Sequence, residues 1–150
     1  MHFSIIIPVY NRPEELEELL NSIMLQEPFK NPEVIVVEDG SSKTSSSIVK
    51  KYEEKLNIKY CFKKNSGPGD SRNYGMERAS GNYFILLDSD CILPPDYMGQ
   101  IDNYIKSNEV DAFGGPDTYH PSFSPLPCID PTFCFNLFIA FLIKNHRSMH

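Results

Sequence analysis

Short runs of apolar, β-branched residues alternate with helical patterns, and this alternation limits the fold more than any other feature of the chain. The runs III at residues 5–7 and VIVV at residues 34–37 are typical of strands buried on both faces. Weaker runs follow at residues 58–62, 83–87 and 110–113. Helical patterns separate the five runs, at residues 16–23, 48–52, 71–79 and 97–105, and Pro13 with the two acids after it indicates where the first helix begins. The predicted order is βαβαβαβαβ.

This order predicts an α/β fold, namely a three-layer α/β/α sandwich with a mostly parallel, Rossmann-like sheet. Parallel neighbours cannot be joined by tight turns, so each helix must cross over one face of the sheet. Ligands of such folds bind beyond the carboxyl ends of the strands. We therefore expect the functional residues directly after the strands.

Size, charge and cysteine usage exclude several classes of protein. The 150 residues correspond to one domain, and 14 basic against 20 acidic residues leave a net charge of −6. Nucleic acid is excluded as the main partner, because a phosphate backbone selects clustered Lys and Arg, and no basic stripe is present. The cysteines are far apart and form no CxxC pair, which argues against zinc or redox motifs and for reduced thiols in a cytoplasm. They are Cys61, Cys91, Cys128 and Cys134.

The longest apolar stretch, residues 133–143, is too short to cross a bilayer, since a spanning helix needs about 20 apolar residues. We predict that it forms a buried core helix. Left uncovered, it would instead mark self-association as a homodimer or, with the basic flank of Lys144 and Arg147, peripheral association with a membrane. The N-terminal apolar run lacks the basic flank of a secretion signal. The expected location is therefore the cytoplasm, with the inner membrane face as the place of any such association.

Polar residues follow three of the predicted strands. Pro8, Tyr10 and Asn11 come after the first, Asp39 after the second, and the tripeptide Asp88-Ser89-Asp90 after the fourth. Two carboxylates so close in sequence repel each other unless a cation neutralises them, and their oxygens suit Mg²⁺ or Mn²⁺ bridging a diphosphate. Each acid taken singly is explained equally well as a helix cap or a turn residue.

A loop with two glycines, residues 65–73, leads into the third predicted helix. Its backbone N–H groups could hold a phosphate at the start of that helix. Arg72 could pair with a diphosphate or with one of the nearby carboxylates, or it could be an ordinary surface arginine. The loop matches neither the P-loop pattern nor GxGxxG.

Taken together, these segments resemble the inverting family 2 glycosyltransferases of the GT-A fold. Four stretches match in order and spacing: FSIIIPVYNRPEELEELLNSI, EVIVVEDGSS, NSGPGDSRNYGMERASGNYFILLDSD and DAFGGPD. The resemblance implies a nucleotide-sugar donor-binding domain over residues 1–117. Residues 118–150, which contain the predicted apolar helix, then form an incomplete or atypical acceptor-side segment.

The resemblance also implies a role for each residue after the strands. Pro8, Tyr10 and Asn11 correspond to the loop that meets the base of the donor, and Asp39 to the acid that hydrogen-bonds the base, usually uracil. Arg72 corresponds to the arginine near the donor, and Asp88 and Ser89 to residues near the ribose and diphosphate. Asp90, with Asp88, corresponds to the carboxylates that hold Mn²⁺ or Mg²⁺.

The implied activity is transfer of a sugar from a nucleotide-diphosphate sugar, expected to be a UDP-sugar, to a glycan or polysaccharide acceptor with inversion. Inversion requires a general base opposite the diphosphate. None of the last three acids, Asp111, Asp117 and Asp130, lies in a motif typical of that base, so the catalytic residue is unassigned. Two alternatives stay open: a non-catalytic nucleotide-sugar binding or assembly module, and a phosphotransferase that uses Asp88 as a nucleophile.

Overall fold

The computed structural model describes residues 2–26, 32–108, 110–114 and 141–145. Its elements, in chain order, are β1 (Phe3–Val9), α1 (Pro13–Met24), β2 (Glu33–Asp39), α2 (Ser46–Tyr52), β3 (Asn57–Lys63), α3 (Pro68–Arg78), β4 (Tyr83–Leu86), α4 (Tyr97–Ser107), β5 (Ala112–Gly114) and β6 (Phe141–Lys144). The first nine elements confirm the predicted alternation. The strand β6 is an addition that the sequence pattern did not predict.

The described strands form one sheet in the order β3-β2-β1-β4-β6-β5. Strands β3, β2, β1 and β4 run parallel to one another, whereas β6 is antiparallel to both β4 and β5. The prediction of a mostly parallel sheet is therefore confirmed.

Helices cover both faces of this sheet. Ile5 and Ile7 of β1 pack with α1, α2 and α4 on one face, and Ile6 packs with residues of α3 on the other. Successive side chains of a strand point to opposite faces, so a strand in the middle layer needs apolar residues at consecutive positions. The run of three isoleucines follows from this requirement, and the three-layer sandwich is confirmed.

Proline positions define the starts of two helices. α1 begins at Pro13, as predicted. α3 begins at Pro68 rather than at residue 71, because a proline at the first helical position loses no intrahelical hydrogen bond. Gly67 precedes it with a φ of +93°, a value that glycine adopts without strain.

The predicted core helix at residues 133–143 is wrong for the part of that stretch that the structure describes. Residues 141–143 belong to β6, which lies between β4 and β5 with Leu142 buried opposite Ile85. A uniformly apolar run is compatible with a strand of the middle layer as well as with a buried helix. In this fold the edges of β4 and β5 could both pair with it. The rest of the stretch, and with it most of the predicted surface patch, lies outside the described residues.

Two further predictions concern membranes and thiols. None of the helices among the described residues combines the length and the apolar character needed to span a membrane. Within the described part of the chain, Cys61 and Cys91 form no disulfide, while Cys128 and Cys134 lie outside the described residues.

A buried carboxylate connects the amino-terminal ends of several strands of the sheet. Glu33, at the start of β2, is 1% exposed and accepts hydrogen bonds from Lys59 Nζ at 2.6 Å, from the backbone N–H of Ser80 at 2.8 Å and from the hydroxyl of Ser4. Burial raises the pKa of Glu33, but these hydrogen bonds outweigh it and lower the pKa from 4.5 to about 2. The ionised form therefore ties β1, β2, β3 and the start of β4 to one another.

We expect Glu33→Gln to lower the free energy of unfolding at neutral pH by about 2 kcal/mol, because charged hydrogen bonds are replaced by neutral ones. The depressed pKa stabilises the fold above pH 4.5, and this contribution is lost as the pH falls toward about 2. Urea unfolding over that interval should give a steeper loss of stability for the wild type than for the variant.

Glu17→Gln provides the matched control, since Glu17 also pairs with a lysine, Lys51 at 3.0 Å, but at the surface. An exposed pair contributes at most about 1 kcal/mol. Equal destabilisation by both substitutions would contradict the role given to Glu33.

Candidate functional site

A pocket of about 430 Å³ opens at the carboxyl ends of β1, β2 and β4. The strand order reverses at β1, with β2 on one side and β4 on the other, which is the switch point where open α/β sheets bind ligands. The described residues that line the pocket are Pro8, Val9, Tyr10, Arg12, Asp39, Pro68, Arg72, Asp88, Ser89 and Asp90. Seven of the eight residues predicted from the sequence as site residues are thus together in one pocket, and the exception is Asn11.

Asn11 joins two loops instead of lining the pocket. Its backbone takes a φ of +56°, and its side-chain oxygen accepts hydrogen bonds from Ser42 Oγ at 3.1 Å and the backbone N–H of Lys43 at 3.0 Å. Its own backbone N–H donates to Ser41 Oγ at 2.8 Å. The loop after β1 is therefore held against the loop after β2, which leaves the neighbouring Tyr10 exposed at the pocket.

The fully buried carboxylate of Glu38 stabilises these contacts from the interior of the protein. It accepts hydrogen bonds from the hydroxyl of Ser41, from the backbone N–H of Ser45 at 2.7 Å and from the hydroxyl of Tyr60 at 3.2 Å. Burial, together with the negative charge of Glu38, raises the pKa of Tyr60. Glu38 thus positions the β2–α2 loop without reaching the pocket itself.

Asp39, at the end of β2, is the most constrained acid of the pocket. Its carboxylate accepts hydrogen bonds from Lys63 Nζ at 2.5 Å and from the backbone N–H groups of Ser66 at 3.0 Å and Gly67 at 2.8 Å. Burial raises the pKa of Asp39, but these donors outweigh burial and leave the pKa below its usual value. The N–H groups of Ser66 and Gly67, which the sequence analysis offered to a phosphate, bind this carboxylate instead.

Gly40 lets the chain turn immediately after Asp39. Its φ is +70°, and a Cβ at this position would lie 2.6 Å from the backbone nitrogen of Asn65. The side chain of Asn65 in turn donates to the carbonyl oxygen of Asp39 at 2.9 Å. The loops after β2 and β3 therefore approach each other so closely that a residue with a side chain does not fit at position 40.

The two acids after β4 are each paired with an arginine across the pocket. Arg72 Nη2, from α3, lies 2.5 Å from Asp88 Oδ1, and Arg12 Nη1, from the β1–α1 loop, lies 2.5 Å from Asp90 Oδ2. The Arg12 side chain is 51% exposed and that of Asp90 is 32% exposed. Exposed pairs of this kind contribute little stability and exchange partners easily.

Three lining residues were not predicted as site residues, namely Val9, Arg12 and Pro68, and Arg12 is the charged one of the three. It precedes the proline that starts α1 and therefore lies, like Tyr10, at the carboxyl edge of the sheet. This position in the sequence could have indicated that Arg12 lies at the pocket. The contact of Arg12 with Asp90, however, joins residues 78 positions apart and depends on β1 pairing with β4.

The carboxylates of the pocket suit a metal held jointly with a ligand. Among the residues that the structure describes, no group of three or more His, Cys, Asp or Glu side chains could hold a metal ion. Asp88 and Asp90 are two partly exposed carboxylates on one pocket wall. Mg²⁺ is commonly bound in this way, by one or two carboxylates that are completed by phosphates and water.

Fold and pocket together define an α/β ligand-binding domain whose site presents both carboxylates and arginines at the switch point of the sheet. The model of the family described as "Glycosyl transferase family 2" matches residues 4–124. The chain belongs to this family, as the sequence analysis predicted. The match extends past residue 117, and the division into residues 1–117 and 118–150 stays a prediction.

Named relatives include a glycosyltransferase and a teichoic acid biosynthesis protein. The chain is 37% identical over 114 residues to the poly(ribitol-phosphate) beta-N-acetylglucosaminyltransferase TarS of Staphylococcus aureus, covering 74% of this chain and 20% of TarS. It is 36% identical over 119 residues to the minor teichoic acid biosynthesis protein GgaB of Bacillus subtilis, covering 76% of this chain and 13% of GgaB. The chain thus spans about a fifth or less of these two curated relatives.

Solved structures confirm the GT-A fold. The crystal structure of S. aureus TarS 1–349 in complex with UDP-GlcNAc is similar with a TM-score of 0.70 and 36% identity, over 75% of this chain and 33% of that one. A mannosyltransferase from Pyrobaculum calidifontis, solved with GDP-Man and Mn²⁺, has the same fold with a TM-score of 0.68 and 24% identity, over 74% of this chain and 34% of that one.

We expect Gly40→Ala to lower the free energy of unfolding by about 2 kcal/mol or more, because a left-handed alanine is strained and the new Cβ meets the backbone of Asn65. Gly69→Ala is the control: beyond its chain neighbours and the backbone of its own helix α3, no atom lies within 4 Å of its Cβ position. Alanine favours helix, so that variant should keep or slightly gain stability. Urea unfolding measures both, and equal losses would contradict the close approach at Gly40.

Proposed function

We propose that this chain is the donor-binding portion of an inverting glycosyltransferase, which holds a UDP-sugar in the pocket and transfers the sugar to a glycan acceptor. The observation that carries the proposal is the convergence of Asp39, Asp88 and Asp90, from two different strand ends, on one pocket with two arginines. Similarity to TarS, whose structure was solved with UDP and with UDP-GlcNAc, supports a uridine donor. Membership of family 2 argues against the phosphotransferase alternative.

The base is assigned to the half of the pocket nearest β2. Asp39 is assigned a hydrogen bond from an N–H of the base, because it lines the pocket and its donors hold its pKa below the usual value, which favours the ionised form. Tyr10 and Pro8, which line the same pocket, supply apolar surface for the base. Asp88 and Ser89 lie further along the pocket wall and are assigned to the ribose and the diphosphate, while Asn11 keeps the Tyr10 loop in place through its contacts with the loop after β2.

The diphosphate is assigned to the half of the pocket nearest β4. Asp90, together with Asp88, would hold Mn²⁺ or Mg²⁺, which supplies electrostatic stabilisation to a leaving diphosphate when it is bound. Arg72 and Arg12 neutralise these two acids in the absence of ligand. An entering diphosphate offers both guanidinium groups an alternative anionic partner, and bidentate pairing with phosphate is favourable for arginine.

The general base of the transfer is not assigned to a residue. Asp111 lies 3.7 Å from Lys144 at the β5–β6 edge, and Asp117 and Asp130 lie outside the described residues. The chain covers only a fifth or less of TarS and GgaB, so a module that binds the nucleotide sugar without turning it over is the second candidate. The glycan acceptor, the homodimer, the cytoplasmic location and the association with the inner membrane face stay predictions from the sequence.

Calorimetry with UDP, GDP and Mn²⁺ tests donor and metal together. We expect UDP to bind more tightly than GDP, and Mn²⁺ to tighten UDP binding by about tenfold, equivalent to 1.4 kcal/mol. Mn²⁺ alone should bind only weakly, because the described carboxylates need the phosphates to complete a coordination shell. Absence of UDP binding under all conditions would contradict the proposal.

Asp90→Ala should remove the tightening by Mn²⁺ while leaving most of the binding of UDP alone, because the base contacts remain. Glu17→Ala, which removes a surface acid of α1, serves as the control and should behave as the wild type. Hydrolysis of a UDP-sugar then separates the two candidates. Mn²⁺-dependent cleavage that is lost in Asp90→Ala indicates the enzyme, and intact binding without turnover indicates the module.

A further inference from the structure

The Asp39 carboxylate of the pocket forms a buried ion pair with a lysine from the neighbouring strand. Asp39 and Lys63 are the last paired residues of β2 and β3, and their side chains are only 4% and 10% exposed. The Lys63 Nζ lies 2.5 Å from Asp39 Oδ1. The two arginine pairs of the same pocket are far more exposed, so this pair is the permanent one.

The contacts of Asp39 leave one acceptor position for a ligand. A carboxylate offers about four lone-pair positions. Lys63 and Ser66 occupy Oδ1, and Gly67 occupies one position of Oδ2. As far as contacts among the described residues go, the remaining position on Oδ2 is the one available to a molecule in the pocket that Asp39 lines.

Lys63 is itself held in place by three further oxygens. Its Nζ donates to the hydroxyl of Ser66 and to the carbonyl of Lys64 at 3.3 Å, and it lies 3.1 Å from Asp70 Oδ2. Ser66 Oγ also donates to Asp70 at 2.5 Å. The cation is thus fixed by β3, by the loop after it and by the first turn of α3.

Removal of this cation would change the charge state of a buried acid. Burial raises the pKa of Asp39, and Lys63 is the strongest of the groups that lower it again. Among the described residues, the other charged groups that interact with Asp39 or line its pocket are Asp70 on the α3 side and the four paired side chains Arg12, Arg72, Asp88 and Asp90. Asp70 is negative and the four pocket charges sum to zero, so none of them replaces Lys63.

We propose that Lys63 is a positioning and specificity residue, which keeps Asp39 ionised and oriented. The pocket then accepts a base that presents an N–H to Asp39 and rejects a base that presents a ring acceptor to it. Uracil presents an imide N–H at this edge, whereas cytosine presents an unprotonated ring nitrogen. An ionised carboxylate can only accept, so it binds uracil and repels cytosine. This inference rests on the proposed function and assigns the selection between bases to a residue that need not touch the ligand.

The test compares the Kd values of UDP and CDP for the wild type, Lys63→Met and Lys59→Met. The two nucleotides carry the same diphosphate, so the ratio of their Kd values isolates the base contact from titration of the phosphates. Lys59→Met is the matched control, because Lys59 is also a β3 lysine paired at 2.6 Å with a buried β2 acid, Glu33, but at the opposite edge of the sheet.

We expect the wild type and Lys59→Met to prefer UDP by the same factor as each other at about pH 7.5 and again at about pH 5.5, since protonation of the cytosine ring nitrogen in mild acid affects both proteins alike. In Lys63→Met the preference should be about tenfold smaller than in the wild type at the same pH, because a buried carboxylate without its cation is less readily ionised and less firmly oriented. A protonated Asp39 then donates to the cytosine nitrogen. Lys63→Arg retains the cation and should restore most of the preference.

A preference in Lys63→Met equal to that of the wild type at both pH values, or an equal fall in Lys59→Met, would overturn the inference. Titration of the Asp39 carboxyl by NMR in the absence of nucleotide tests the charge effect separately. Its pKa should rise in Lys63→Met and stay near the wild-type value in Lys63→Arg. Failure of the wild type to bind UDP, with this pKa shift present, would refute the proposed donor and not the effect of Lys63 on Asp39.

Discussion

The strand β2, which lies between β3 and β1, carries buried carboxylates at both ends, and the rest of the structure depends on satisfying them. An unpaired buried charge is so costly that its partners are effectively obligatory. Glu33 fixes β1, β3 and the start of β4 at one edge of the sheet, and Glu38 and Asp39 fix the loops after β1, β2 and β3 at the other. Hydrogen bonds to these charged groups therefore align the strands, in addition to apolar packing. The carboxyl ends of the strands, where the pocket lies, are one of the two places where they do so.

Two kinds of ion pair with different physical consequences meet in the pocket. The pair between Lys63 and Asp39 is buried and shared among several donors, so it is suited to a fixed role in orienting one acceptor atom. The pairs of Arg12 with Asp90 and of Arg72 with Asp88 are partly exposed, so they can exchange partners when an anionic ligand enters. The pocket thus has one end with a fixed ion pair and one end with exchangeable ion pairs. This is consistent with the proposed binding of a nucleotide diphosphate, whose base is neutral and whose diphosphate is highly charged.

The fold could be predicted where local pattern and burial agree. Consecutive isoleucines in β1 predict a strand of the middle layer, and the spacing of Leu16, Leu19 and Leu20 after Pro13 predicts α1 with its first residue. The prediction failed for residues 141–143, because an apolar run carries no period that separates a buried strand from a buried helix. It also placed the start of α3 too late, since Pro68 and Gly67 were assigned to a loop although proline is well suited to the first helical position.

The sequence alone determined the alternation of strands and helices, the family, and the acids and aromatic residue that follow the strands, because each of these is recorded in neighbouring residues. Only the tertiary structure decided which groups meet: Arg12 with Asp90, Lys63 with Asp39, and Asn11 with the loop after β2 rather than with the pocket. These contacts join residues 24 to 78 positions apart, and their existence depends on strand order and register. The charge and accessibility of each pocket acid are consequences of those pairings, so composition and spacing could identify the acids but not the state in which the fold holds them.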